Sequence, residues 1–79
     1  MRIPRDVDAD RLIKQLTKYG YTVVRQKGSH IRLTKMTEKG KHDITIPNHQ
    51  PIKIGTLCNI VSDVCKHNDI TANIFYENL

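Results

Sequence analysis

The chain has no tryptophan, one phenylalanine and three tyrosines among its 79 residues. A protein this short buries only about 60% of the surface of its unfolded chain, so it can form one modest core but not a cofactor cleft as well. No apolar run approaches the roughly 20 residues that span a bilayer, and the first residues lack the apolar segment of a signal peptide. We therefore expect one domain over residues 1–79, with no cofactor and no membrane association, in the cytoplasm.

Cysteine is also scarce, with only Cys58 and Cys65 present. On one helix these two residues would lie about 10 Å apart along the axis, which is too far for a disulfide and fits a reducing compartment. The two cysteines and four histidines form neither a Cys-x-x-Cys nor a His-x-x-x-His pair. These spacings predict no metal site.

Positive charge is abundant but unevenly placed. Residues 25–42 contain six basic residues against the single acid Glu38, so this segment carries the whole net charge of +5. A concentrated basic patch attracts polyanions. The same segment also contains a histidine and an arginine, His30 and Arg32, directly after the sequence Lys27-Gly28-Ser29.

The spacing of His30 and Arg32 predicts that their side chains lie on one face of a strand. Residues two apart on a strand lie on the same face. One face would then carry an imidazole, which exchanges protons near neutral pH, and a guanidinium, which is suited to binding phosphate. Ile31 and Leu33 would point to the opposite face, towards the core.

Periodicity predicts the remaining organisation. Apolar spacing and capping residues indicate a helix over residues 9–19 with Asp8 as N-cap, and a second helix reaching His67 that starts at a Gly55 or Thr56 cap. A third short helix would begin at Thr71 with Ile74 and Phe75 as anchors. Three antiparallel strands are predicted over residues 21–26, 30–34 and 43–47, with a loose loop at residues 35–42. Ile44 and Ile46 of the third strand would face the core. Since only the helices can cover the apolar face of so small a sheet, the fold class is two-layer α+β with His30 on the open face.

Three segments resemble the HicA family of toxins from prokaryotic type II toxin–antitoxin modules. They are Arg25-Gln26-Lys27-Gly28-Ser29-His30, then Ile44-Thr45-Ile46-Pro47-Asn48-His49, then Ile54-Gly55-Thr56-Leu57. Each segment is short, but their order and spacing are specific together, and the resemblance covers nearly the whole chain. It implies a fold like the double-stranded-RNA-binding domain, with the order helix, three strands, helix.

The resemblance also implies a function. Members of the family are small ribonucleases that cleave messenger RNA, their active residue matches His30, and a cognate HicB-type antitoxin binds and blocks them. We therefore predict His30 as the catalytic residue of a metal-independent endoribonuclease. The residues predicted to bind RNA around it are Arg25, Lys27, Gly28, Ser29 and Arg32.

Two questions stay open at this point. Cleavage of RNA usually needs both an acid and a base, and His49 is the candidate for the second group, although a loop histidine bonded to nearby backbone is the simpler interpretation. His42 is expected to be a solvated loop residue, and His67 is expected to complement the dipole of its helix.

The alternative functions are an RNA-binding domain without catalysis, which the same fold and charge would support, and a module whose basic face binds an acidic protein.

Overall fold

The computed structural model describes residues 3–79. The order of elements is helix, three strands, two helices, which confirms the predicted α+β class. The elements are α1 (Ala9–Lys18), β1 (Thr22–Lys27), β2 (His30–Thr37), β3 (Gly40–Pro47), α2 (Ile54–Asn68) and α3 (Ala72–Glu77).

The strands form one antiparallel meander in the order β1-β2-β3. Lys27 pairs with His30 at the β1–β2 end of the ladder, and His30 pairs in turn with Pro47 of β3. The register between β1 and β2 shifts between Val23 and Arg25, which leaves Val24 as a bulge. A bulge increases the local twist of an edge strand and changes the direction of the side chains that follow it.

One face of the sheet and the helices enclose the core. Ile31 and Leu33 of β2 and Ile44 and Ile46 of β3 are buried, as their alternation predicted. The other core side chains come from the helices and loops: Val7, Ala9, Leu12, Leu16, Tyr21, Ile52, Leu57, Val61, Val64, Phe75 and Tyr76. All six residues of β1 are exposed, so the helices cover β2 and β3 and leave the first strand outside the core.

The start of α1 follows the sequence closely. Asp8 is its N-cap, and its carboxylate accepts a hydrogen bond of 2.8 Å from the backbone N–H of Arg11. Val7, which precedes the cap, and Leu12, in the first turns of α1, are both fully buried. A capping carboxylate satisfies one of the unpaired N–H groups of the first turn, which is worth about 1 kcal/mol.

The prediction of a loose loop over residues 35–42 is wrong. Strands β2 and β3 continue to Thr37 and from Gly40, so only Glu38 and Lys39 lie between them. The Thr37 hydroxyl donates to the Gly40 carbonyl (2.8 Å) and accepts from the Lys39 N–H (3.1 Å). Gly40 has φ +109°, a value that favours glycine. Residues 35–42 are mostly polar because they form a hairpin that extends beyond the core. A solvated hairpin of this kind needs few apolar residues.

The boundaries of the later helices also differ from the prediction. Neither Gly55 nor Thr56 caps α2: the N-cap is Lys53, whose side chain makes no capping hydrogen bond. Thr71 caps α3 as predicted, and Phe75 is fully buried, but Ile74 is 48% exposed and Tyr76 provides the second buried anchor. No helix within residues 3–79 is long and apolar enough to cross a bilayer.

Candidate active site

His30 is the first residue of β2, and its side chain is exposed on the face of the sheet that the helices leave open. Arg32 lies two residues further along the same face. The pairing of β1 with β2 places Lys27 opposite His30 and Arg25 opposite Arg32. The two-residue spacing and the strand ladder thus bring one imidazole and three cationic side chains together.

These four side chains line a hollow of about 370 Å³, together with Thr45 of β3. We call it the basic hollow, defined by Arg25, Lys27, His30, Arg32 and Thr45. Three permanent cations in one concave surface raise the local concentration of anions, and guanidinium groups bind phosphate through two parallel hydrogen bonds.

The turn before His30 fixes where β2 begins. Gly28 and Ser29 are its two central residues, and Gly28 has φ +58° while Ser29 does not have a positive φ. Positive φ at the first central position is the pattern of a type II′ hairpin turn, which matches the twist of the strands it joins. Space is not the reason for glycine, because a Cβ on Gly28 would meet no atom within 4 Å. Gly28 and Ser29 border the basic hollow but are not among the described residues that line it, so their predicted contact with RNA stays a prediction.

An acid lies beside this hollow. Asp43 of β3 accepts a 2.6 Å hydrogen bond from the Thr34 hydroxyl through Oδ1, and its Oδ2 lies 3.6 Å from Nη2 of Arg32. The Thr34 hydrogen bond, followed by the charges of Lys41 and Arg32, holds the pKa of the Asp43 carboxyl below its usual range. The sequence did not indicate this contact, which joins the face of one predicted strand to that of the next.

His49 lies in a second hollow, not in the first. This loop hollow, of about 200 Å³, is lined by Pro47, His49, Lys53 and Thr56. The two hollows are neighbours because the backbone N–H of Asn48 donates a 2.7 Å hydrogen bond to the carbonyl of Ser29. His49 is exposed, and its backbone N–H donates to the Pro47 carbonyl at 2.9 Å. This bond does not involve the imidazole, and the His49 ring makes no hydrogen bond within residues 3–79, so its role as a second acid or base stays a prediction.

The structure contradicts the prediction for His42. The sequence predicts a solvated loop residue, but His42 belongs to β3 and is 4% exposed. Its position has the same parity as the buried Ile44 and Ile46, so extending the predicted strand by one residue would have placed it inside. Against it lies His67 of α2, whose ring is nearly parallel to that of His42 (9°) with centroids 3.6 Å apart.

A chain of hydrogen bonds holds His42 in place. Lys35 donates to Oδ1 of Asn68, and the Asn68 amide nitrogen donates to the Tyr21 hydroxyl at 3.0 Å. That hydroxyl is hydrogen-bonded to Nδ1 of His42, 2.5 Å away. Nε2 of His42 is hydrogen-bonded to Oδ2 of Asp63 at 2.9 Å. Both ring nitrogens of this buried histidine therefore have a partner.

His42, Asp63 and His67 are also the group that could hold a metal ion, since their ligand atoms lie within 4.8 Å of one another. The stacked rings do not fit such an ion. A metal bonds an imidazole nitrogen in the plane of the ring, and an ion between two nearly parallel rings 3.6 Å apart would lie far from at least one of the planes, by a distance comparable with the bond length of about 2.0–2.1 Å. The cluster is explained by the hydrogen bonds and the stack without a metal.

The chain also matches the model of a known protein family. A family model described as the HicA toxin of bacterial toxin–antitoxin matches residues 9–70, which include every residue of both hollows. The chain belongs to the HicA toxin family. No curated protein and no solved structure matches it.

Membership of the HicA family makes this chain the toxin of a toxin–antitoxin system and implies an antitoxin protein as its partner. In this HicA-family toxin the matched region runs from the start of α1 to the residues just after α2. Only α3 lies outside the match, and its buried Phe75 and Tyr76 extend the core rather than either hollow.

Proposed function

We propose that this HicA-family toxin is a metal-independent endoribonuclease that cleaves messenger RNA in the cytoplasm, with His30 as its catalytic residue. The observation that carries the proposal is the basic hollow, in which an exposed imidazole lies among Arg25, Lys27 and Arg32. These are the groups needed to move a proton and to bind a phosphate at the same place.

RNA supplies its own nucleophile, so the protein needs little further machinery. The 2′-oxygen forms a bond to the adjacent phosphorus, and the bond from phosphorus to the 5′-oxygen of the next nucleotide breaks. His30 accepts the 2′-hydroxyl proton or donates a proton to the departing 5′-oxygen, and assistance of this kind typically contributes about 10²- to 10⁴-fold in rate. The products are a 2′,3′-cyclic phosphate and a 5′-hydroxyl.

The cations of the basic hollow bind the phosphate and stabilise the charge that develops on its oxygens. If Arg25, Lys27 and Arg32 account for most of four or five phosphate contacts, the log–log dependence of affinity on salt has a slope of roughly −3 for single-stranded RNA. Because these side chains provide the positive charge, the mechanism assigns no step to a metal ion, and a chelator should leave the rate unchanged.

His49 is proposed as the second acid or base. It lies in the loop hollow beside the turn that precedes His30. For this role both imidazoles must act on one phosphate, one accepting the proton of the 2′-hydroxyl and the other donating a proton to the departing 5′-oxygen. An antitoxin that covers the basic hollow would inhibit by excluding RNA, and an acidic surface on that antitoxin would speed its association.

The decisive experiment compares His30→Ala with the wild type. We expect cleavage of an RNA oligonucleotide to fall by at least about 100-fold, with nearly unchanged affinity for a 2′-O-methyl RNA of the same sequence, which lacks the nucleophile. His49→Ala tests the second role through the pH–rate profile, from which one limb should disappear. Products with 3′-hydroxyl ends, or loss of activity with a chelator, would contradict the mechanism.

The rival function, RNA binding without catalysis, predicts a different result. The wild type would bind the 2′-O-methyl RNA with the same steep salt dependence but would not cleave the unmodified RNA. Purified wild-type protein that never cleaves RNA, at concentrations where it binds the analogue, would overturn the proposal in favour of this rival.

A further inference from the structure

The three strands contain one acidic residue, Asp43, and it lies on the open face beside the basic hollow. A carboxylate repels phosphate, so its presence next to a surface that is otherwise cationic requires a reason. Both of its oxygens are engaged, Oδ1 by the Thr34 hydroxyl and Oδ2 by the Arg32 guanidinium.

The strand register shows what this contact does to Arg32. Arg25 of β1 lies directly opposite Arg32, and Thr45 of β3 lies on its other side. Two guanidinium groups that face one hollow repel each other, and without a counter-charge Arg32 would move away from Arg25 into solvent. Asp43 lies towards β3, diagonal to Arg32, and attracts the guanidinium to that side.

We propose that Asp43 is a positioning residue of the ribonuclease site: it holds Arg32 on the β3 side of the basic hollow, facing Arg25, so that a phosphate is bound from both sides. This inference rests on the proposed function. Thr34 contributes to the same positioning, because its short hydrogen bond (2.6 Å) fixes the orientation of the Asp43 carboxylate, which in turn orients Arg32.

The proposal separates binding from catalysis. Removing the negative charge lowers the repulsion of RNA, so affinity should rise, whereas releasing Arg32 should reduce the rate of the chemical step. A residue with a merely structural role would instead lower affinity, rate and stability together.

Asp43→Asn and Thr34→Val are the test variants, and Asp69→Asn is the matched control. Asp69 pairs with Lys39 at the end of α2, away from the basic hollow, and asparagine tolerates its left-handed backbone (φ 53°). For Asp43→Asn we expect kcat to fall by up to about 100-fold, while the Kd for 2′-O-methyl RNA decreases by up to about 5-fold. Thr34→Val, which keeps the charge, should lower kcat without tightening binding, and Asp69→Asn should change neither.

The experiment distinguishes a failure of the proposed role of Asp43 from a failure of the proposed ribonuclease function. If the wild type cleaves RNA and Asp43→Asn has the same kcat, the positioning role of Asp43 is wrong and the ribonuclease function stands. A joint loss of kcat, affinity and urea midpoint in Asp43→Asn would equally contradict the role, since it would show a structural residue. If the wild type does not cleave RNA at all, the proposed function fails and the role of Asp43 fails with it.

Discussion

At the scale of single residues, the buried imidazole of His42 contacts three other polar side chains. It is hydrogen-bonded to Tyr21 and to Asp63, and it stacks on His67. Buried polar groups left without a partner cost about 1–3 kcal/mol each. Replacing His42 therefore affects the partners it leaves behind as much as the contacts it loses.

His42→Ala is expected to lower the free energy of unfolding by about 2–4 kcal/mol, because it removes the hydrogen bonds to the Tyr21 hydroxyl and to Asp63 and opens a cavity beside β3. Urea unfolding followed by circular dichroism measures the change. His49→Ala is the control, since that side chain is exposed and its loss should alter stability by less than about 0.5 kcal/mol. Equal effects of the two substitutions would show that the hydrogen-bond chain contributes nothing to the fold.

The candidate site and the His42 cluster differ in how far the sequence could predict them. The position of His30 follows from a glycine turn and a two-residue alternation, both of which are local signals. The ring of His67 lies on His42 only because α2 packs across β3 at one particular register. A contact between residues 25 positions apart, which depends on that packing, leaves no periodic trace in the sequence.

At the scale of elements, the start of α2 is weaker than the start of α1. Lys53 is the N-cap residue of α2 and has an extended backbone (φ −60°, ψ 140°), but its side chain makes no capping hydrogen bond. At α1, by contrast, the Asp8 side chain accepts such a bond. The first turn of α2 also contains no acidic residue. An uncapped helix N-terminus leaves backbone N–H groups for water to satisfy.

Lys53→Ser is expected to stabilise the protein by about 0.5–1 kcal/mol, because the serine hydroxyl can accept from the first turn of α2. Asp8→Ala, which removes the existing cap of α1, should destabilise by about 1 kcal/mol. The two urea midpoints should move in opposite directions from that of the wild type. A decrease in both would mean that the Lys53 side chain stabilises the fold in some other way, and the capping argument would be wrong.

The strands show where periodicity stops being informative at this scale. The alternation of Ile31, Leu33, Ile44 and Ile46 correctly predicted which faces of β2 and β3 are buried. Beyond the edge of the core the apolar signal disappears, although the strands continue as a hairpin from Thr34 to Thr37 and back from Gly40. Hydrogen bonds within the hairpin and its tight turn maintain this extension, and neither leaves a hydrophobic pattern.

At the scale of the whole molecule, the two layers separate two kinds of polar chemistry. The open face of the sheet carries the basic hollow, where the side chains are exposed and available to a ligand. The layer between sheet and helices contains the chain through Tyr21 and His42, whose groups are satisfied by one another. The first set is suited to binding a polyanion, and the second specifies how α2 packs on β3.

Alkaline pH should destabilise this fold through its buried phenols. Tyr21 and Tyr76 are 2% and 8% exposed, and burial raises the pKa of each hydroxyl above the ordinary value of 10.0. Above about pH 10 the unfolded chain loses these protons while the folded protein keeps them, so the unfolded state binds fewer protons and stability falls as pH rises. The slope is up to about 1.4 kcal/mol per pH unit for each tyrosine, and below pH 10 these groups have no effect because both states are neutral.

Urea unfolding of the wild type and Tyr76→Phe at pH 8, 10 and 11 measures this dependence. Phenylalanine keeps the edge contact between the ring at position 76 and Phe75 but has no ionisable hydroxyl, so the variant should lose less stability than the wild type between pH 10 and 11. The lysines, which titrate in the same range, are identical in both proteins and cancel in the comparison. If the two proteins lose the same free energy over that interval, Tyr76 ionises as readily in the fold as in the unfolded chain, and burial of its hydroxyl does not control alkaline stability.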